Sequence, residues 1–106
     1  MRILVVDDDA GIREMLCTAL RTEGYEVWQA VTAHAALQTA RQQRPELVLV
    51  DVQLPDLNGM EVCRQIKSDP LLLDVVVVLI SGPAETPPHK VEGLAAGADD
   101  YLSKPI

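Results

Sequence analysis

Four short apolar runs in this chain of 106 residues each end in a polar residue suited to phosphoryl chemistry. Ile3–Val6 leads into Asp7, Asp8 and Asp9; Leu47–Val50 leads into Asp51. Val75–Ile80 leads into Ser81, and Tyr101-Leu102 leads into Ser103, Lys104 and Pro105. A carboxylate such as Asp51 can attack phosphorus and form an acyl phosphate. Two further carboxylates about 4 Å from it would repel it by about 4 kcal/mol each at an effective dielectric near ~20, which a hard divalent cation relieves. Mg2+ favours one or two carboxylates, waters and phosphate oxygens over a closed protein cage, so Asp7 and Asp8 read as part of an open Mg2+ site, with Mn2+ as the alternative ion. Lys104 offers a fixed cation and Ser81 a hydroxyl for the phosphoryl oxygens.

Each residue also has an ordinary structural reading. Asp7, Asp8 and Asp9 can be a solvated acidic turn, with Asp9 doing no more than capping a helix. Asp51 can cap the loop after its strand, Lys104 can be a surface lysine and Ser81 a turn former. Tyr101 can be a half-buried strand aromatic. His34 and His89 have no acidic neighbour at ligand spacing in sequence and read as surface or loop residues.

Something must bring the four run ends together. Each run has the length and β-branched content of a strand buried on both faces, which belongs to a parallel sheet. Strands are expected at 2–6, about 25–30, 46–50, 75–80 and about 100–102. Between them, a helix is expected from about Ala10 to Glu23, with Ile12, Met15, Leu16, Ala19 and Leu20 on its apolar stripe and Gly24 as its stop. Thr32 can cap a second helix at about 33–43, ended by Arg44-Pro45. Residues 55–59 form a loop before a third helix at about 59–68, and a short fourth helix is expected from His89 to Ala96 after a proline-rich stretch. The pattern is (βα)4β: an α/β three-layer sandwich with right-handed crossovers and the flavodoxin-like parallel order 2-1-3-4-5. In that order the ends of the first and third strands are neighbours, and open parallel sheets bind ligands beyond the carboxyl ends of their strands. The first helix falls on one face and the second to fourth on the other, so Cys17 and Cys63 should not bridge.

The length is that of one domain, residues 1–106. Nine basic against sixteen acidic residues give a net charge of −7, which argues against direct nucleic-acid binding by this segment. Two cysteines without CxxC spacing read as reduced core thiols. Asp7–Asp9 interrupts the first apolar run too early for a signal peptide, and no stretch reaches the ~18 apolar residues of a membrane span. A cytoplasmic location is the expectation.

Together these residues resemble the receiver domain of two-component response regulators. The resemblance spans the whole chain and rests on VVDDD at 5–9, LVDVQLPDLNGMEVCRQIK at 49–67, LISG at 79–82 and GLAAGADDYLSKPI at 93–106. It implies that Asp51 accepts a phosphoryl group from a histidine kinase or a histidine phosphotransfer protein. It further implies that Mg2+ is held by Asp8, Asp51 and the backbone carbonyl of Gln53, with Asp7 acting through water. Lys104 and Ser81 would stabilise the phosphoryl group, with Ser81 and Tyr101 as the switch pair. The chain departs from the family in lacking a fifth helix after the last strand and in the prolines at 83, 87 and 88. The expectation is either a receiver truncated before its fifth helix or a sheet face covered by a second copy or an output domain. Such a domain phosphorylates and dephosphorylates itself without being a turnover enzyme. Two other classes fit parts of the pattern. One is a receiver-like interaction module that works without phosphorylation. The other is a small haloacid-dehalogenase-like phosphatase, which needs a second acid two residues after its nucleophile, where Gln53 stands.

Overall fold

The computed structural model describes residues 1–82 and 95–103. Most of the expected fourth helix (His89 to Ala96), the prolines at 83, 87 and 88, and Lys104 lie outside the described residues. The described elements are β1 (Arg2–Val6), α1 (Ala10–Thr22), β2 (Glu26–Ala30), α2 (Ala33–Gln43), β3 (Leu47–Asp51), α3 (Gly59–Ser68), β4 (Val76–Ser81) and β5 (Asp100–Ser103). A 3-10 turn at Pro70–Leu72, with Asp69 accepting the Leu71 N–H, was not foreseen from the sequence.

The local signals that start and stop these helices are visible as contacts. Asp9 accepts the Ile12 N–H at the start of α1, Thr32 accepts the Ala35 N–H at the start of α2, and Asn58 accepts the Met60 N–H at the start of α3. Gly24, at φ +92°, takes the left-handed conformation that ends α1.

The strands form one parallel sheet in the order β2-β1-β3-β4-β5. After Arg2, interior strand β1 is apolar because both faces are covered: Ile3, Leu4, Val5 and Val6 are all buried. Edge β2 does not show the strict alternation expected of it: Val27 is buried on one face and Ala30 on the other, Trp28 is half-buried, and Glu26 and Gln29 are exposed. Beneath α2 and α3 lies the larger core, where Leu4, Val6, Val48, Val50, Val77 and Leu79 meet Ala36, Leu37, Ala40, Val62 and Ile66. Each side chain so buried stabilises the fold by about 1.5–3 kcal/mol relative to exposure if it is the size of valine or leucine.

The other face is thinner. There Ile3, Val5 and Val27 pack with Cys17, while Leu16, Leu20, Leu47 and Leu49 are only partly buried. The stripe expected on α1 is therefore corrected: Cys17 is its deepest residue, and Met15 stays 53% exposed. Val76 and Leu102 on the same side of the sheet are also exposed. Cys17 and Cys63 belong to the two separate clusters and are unbridged. Burial pushes the Cys63 thiol up to about 11 and raises Cys17 too, so neither carries appreciable thiolate at neutral pH.

Ile66, fully buried on α3, tests the larger core. Ile66→Ala is expected to lower the unfolding free energy by about 2–5 kcal/mol in urea with an unchanged slope.

Candidate functional site

Parallel pairing determines where the acids go. Val6 is in register with Val50, so the next residues, Asp7 and Asp51, emerge side by side at the carboxyl ends of β1 and β3. Asp7 is still tied to the sheet through its N–H to the Ala30 carbonyl at 3.2 Å. The structure brings Asp7, Asp8 and Asp51 together, with one carboxylate oxygen of each within 4.8 Å of the other two. Asp7 and Asp51 are buried and Asp8 is exposed. The donor set is all oxygen, one member opens to solvent, and like charge is concentrated. Those are the requirements of a small hard cation that keeps several waters, and the residues fit Mg2+ on that ground.

The turn that presents Asp7 is built from its own side chains. Its Oδ1 accepts the Asp9 N–H at 2.9 Å, and Asp9 in turn caps α1. Asp9 thus has the capping role open to it from the sequence. Arg13, one helical turn further on, donates to the Asp7 backbone carbonyl at 2.9 Å and to Gln29 Oε1 at 3.1 Å. No spacing or motif singles out Arg13, because the contact depends on how α1 lies over β2.

Asp51 ends β3, and its Oδ1 accepts the Gln53 N–H at 3.0 Å, which holds residue 53 against it. The loop then closes on itself. Gln53 bridges to Asn58, and the Gly59 N–H reaches the Val52 carbonyl at 2.7 Å. A Cβ at Gly59 would lie 2.1 Å from the Asp51 carbonyl oxygen, so only glycine fits there. Gly59 was legible in sequence only as a helix boundary; its close approach to Asp51 is a tertiary fact.

Ser81 ends β4 and is buried. Its strand neighbours β3, and Asp51 is in register with Ile80, one residue earlier. On its other side Ser81 pairs with Ser103 of β5. Lys104 is next in sequence and lies outside the described residues. Tyr101 is buried in the larger core, and its hydroxyl has no hydrogen-bond partner among the described residues.

Two further carboxylates steady the frame. Asp99 accepts the Val77 N–H at 2.8 Å and pairs with Lys67 at 2.6 Å, while Lys67 also donates to the Val75 carbonyl. This joins α3 to β4 just ahead of β5. Burial alone would raise the Asp99 pKa, but Lys67 and the Val77 N–H outweigh it and hold the carboxyl below its usual range. Asp56, in the loop after Asp51, accepts the Ala33 and His34 N–H groups and contacts the His34 ring. Burial opposes its ionisation too, and these donors together with its own backbone N–H outweigh it and keep its pKa well below the carboxylate range. His34 therefore has an acidic neighbour after all, 22 residues away in sequence and invisible to spacing.

The family model for the response regulator receiver domain matches residues 3–106. The phosphate regulon transcriptional regulatory protein PhoB of Pseudomonas aeruginosa is 40% identical over 98% of this chain and 45% of its own length. The chain spans less than half the length of the curated relatives it matches. Among solved structures, a CheY-like response regulator receiver domain protein from Methanospirillum hungatei is 35% identical, with a TM-score of 0.91 over 99% of this chain and 82% of its own. A response regulator from Burkholderia pseudomallei, solved with a phosphorylated aspartic acid, a calcium ion and citrate, is 28% identical, with a TM-score of 0.90 over 99% of this chain and 60% of its own.

Two outcomes follow from this geometry. Gly59→Ala forces a Cβ into the Asp51 carbonyl and is expected to cost about 1–3 kcal/mol or more in a urea titration, since backbone must shift to admit it. Asp99 has a lowered folded pKa, so its contribution to stability is complete above the unfolded value of about 3.9 and is lost as pH falls through the folded value. Asp99→Asn, which cannot titrate, should show a shallower fall in melting temperature between about pH 4 and pH 2 than the parent protein.

Proposed function

This chain belongs to the response regulator receiver domain family, and from that premise we propose that it is the phospho-accepting module of a two-component phosphorelay, with Asp51 as acceptor. The observation that carries the reading is the meeting of Asp7, Asp8 and Asp51 within 4.8 Å at the carboxyl ends of β1 and β3. The Burkholderia relative with its phosphorylated aspartic acid and calcium ion supports both the modification and the preference for a hard cation.

The donor is a phosphohistidine on a histidine kinase or a histidine phosphotransfer protein. A carboxylate oxygen of Asp51 attacks phosphorus in line with the scissile bond. The P–O bond forms as the P–N bond breaks, and the departing imidazole nitrogen keeps the electron pair. Asp8, Asp51 and the Gln53 backbone carbonyl would hold Mg2+ or Mn2+, with Asp7 acting through water. When bound, such an ion neutralises charge developing on the phosphoryl oxygens. Lys104 would pair with Asp51 and then with a phosphoryl oxygen. Ser81 donates its hydroxyl to another, and Tyr101 turns into the space that Ser81 leaves. The protein's part is orientation and fixed charge, and each molecule takes one phosphoryl group without turning over substrate.

The outcome is a shift between two states of the surface around β5 and the fourth helix expected ahead of it. PhoB is named as a transcriptional regulator, which supports a transcriptional output for the protein that carries this receiver. With a net charge of −7, the receiver itself does not grip DNA. None of the described helices is long and apolar enough to cross a membrane, and a cytoplasmic site of action follows for a relay of this kind.

Incubation with Mg2+ and a small acyl phosphate, followed by intact-protein mass spectrometry, should show one added phosphoryl group. Asp51→Asn or excess chelator should abolish it. Undiminished addition to Asp51→Asn would overturn Asp51 as acceptor, and no addition to the parent protein would overturn the reading as a whole.

A further inference from the structure

The loop between β3 and α3 is held at its base by Asp51, Gln53, Asn58 and Gly59. Its tip, residues 54–57, is held by different means. Leu54 and Leu57 pack against the larger core, and Asp56 reaches across to the start of α2. Its carboxylate, with the side chain only 22% exposed, accepts the N–H of Ala33 at 2.8 Å and of His34 at 3.0 Å, and the His34 imidazole Nδ1 closes on the second oxygen.

Helix α2 needs this contact. The first N–H groups of any helix lack partners within it, and its amino end favours negative charge. Thr32 serves the Ala35 N–H, but α2 has no acidic residue in its own first turn, and Ala33 there is fully buried. Asp56 supplies both acceptors and charge from a different element. In return, the loop tip is tied to the rigid end of a packed helix. Gln53 is the base residue that leads directly into the tip, with its N–H held by Asp51.

We propose that Asp56 is a positioning residue for the cation site: by clamping the loop tip to the amino end of α2, it fixes the backbone at Gln53 beside the Asp7–Asp8–Asp51 cluster and so sets how tightly that cluster binds Mg2+. The proposal rests on the reading of that cluster as a Mg2+ site. Mg2+ accepts little departure from octahedral geometry at about 2.0–2.1 Å, so a loop free to drift by even a fraction of that distance presents a poorer site. Groups that orient metal ligands without touching the ion typically change affinity by about 10–100-fold when removed.

Removing Asp56 also uncaps α2, so stability and positioning must be separated. Asp56→Ala is expected to lower the melting temperature and to weaken Mg2+ binding by about 10-fold in calorimetric titration with MgCl2. The double variant Asp56→Ala/His34→Asp returns an acid to the first turn of α2 without tethering the loop. It should recover melting temperature while Mg2+ affinity stays about 10-fold weak, and the Gln53 amide resonance should remain shifted from its parent position. Affinity within twofold of the parent in Asp56→Ala, or affinity that returns with melting temperature in the double variant, overturns the positioning role and leaves the Mg2+ reading intact. A parent protein that gives no Mg2+ signal overturns both. If Asp56→Ala alone does not fold, the double variant and Asp56→Asn, which keeps one acceptor oxygen, decide the matter by the same comparison.

Discussion

The structure depends on holding like charges together where they would rather separate. Asp7, Asp8 and Asp51 are brought within 4.8 Å by two neighbouring parallel strands, and two of the three are buried. Each pair of carboxylates at such a range repels by a few kcal/mol at an effective dielectric near ~20. The opposing free energy comes from below. β1 and β3 are packed on both faces by Ile3, Leu4, Val5, Val6, Val48 and Val50, and they cannot splay apart without opening that core. A register shift is equally costly, because moving a strand by one residue would turn each apolar side chain to the opposite face.

Strands bring the acids close, but they do not aim them. Aiming falls to a set of short contacts around the rim, nearly all of them to the main chain. Asp7 is turned by the Asp9 N–H and backed by Arg13; Asp51 is turned by the Gln53 N–H and backed by Gly59. Lys67 and Asp99 fix the approach to β5 in the same manner. The Asp9 and Gln53 N–H contacts aim the acids without ordering a long side chain, whereas Arg13 and Lys67 give up side-chain conformational entropy to hold their main-chain partners.

What the sequence could reveal and what it could not divide along physical lines. Strand positions, the stop at Gly24 and the cap at Thr32 depend on neighbours in the chain, and they were legible to within a residue. The meeting of Asp7, Asp8 and Asp51 was legible because the order of parallel strands follows from a few chirality and connection rules. The stripe on α1 was misjudged because periodicity names a face without saying how deeply it is buried. Cys17 is covered by the sheet, while Met15 lies beyond its cover. The 3-10 turn at Pro70–Leu72 rests on Asp69, which gives the same local signal in an ordinary turn. Gly59, Arg13 and Asp56 were missed as site residues for one reason: each acts through a contact with another segment, and Asp56 meets α2 from 22 residues away. Spacing along the chain carries no trace of such a contact.

The crowding of charge that makes the site costly to build also makes it responsive. A phosphoryl group on Asp51 would add oxygens bearing roughly −1.5 to −2 of charge to a cluster that already holds three carboxylates. Every cation or hydroxyl that can reach those oxygens then gains more in the phosphorylated state than in the free one. That difference is the only kind of interaction that can shift an equilibrium between two surfaces. Reversing a population from 1:99 to 99:1 needs about 5.5 kcal/mol of it. One ion pair and one charge-assisted hydrogen bond in a partly buried site are of that order. The cluster needs no large motion to supply this free energy. On the proposed reading it would need a fixed wall on one side, so that a response at Asp51 is not absorbed by the loop that follows it. Gly59 against the Asp51 carbonyl and Asp56 against the start of α2 would make that wall.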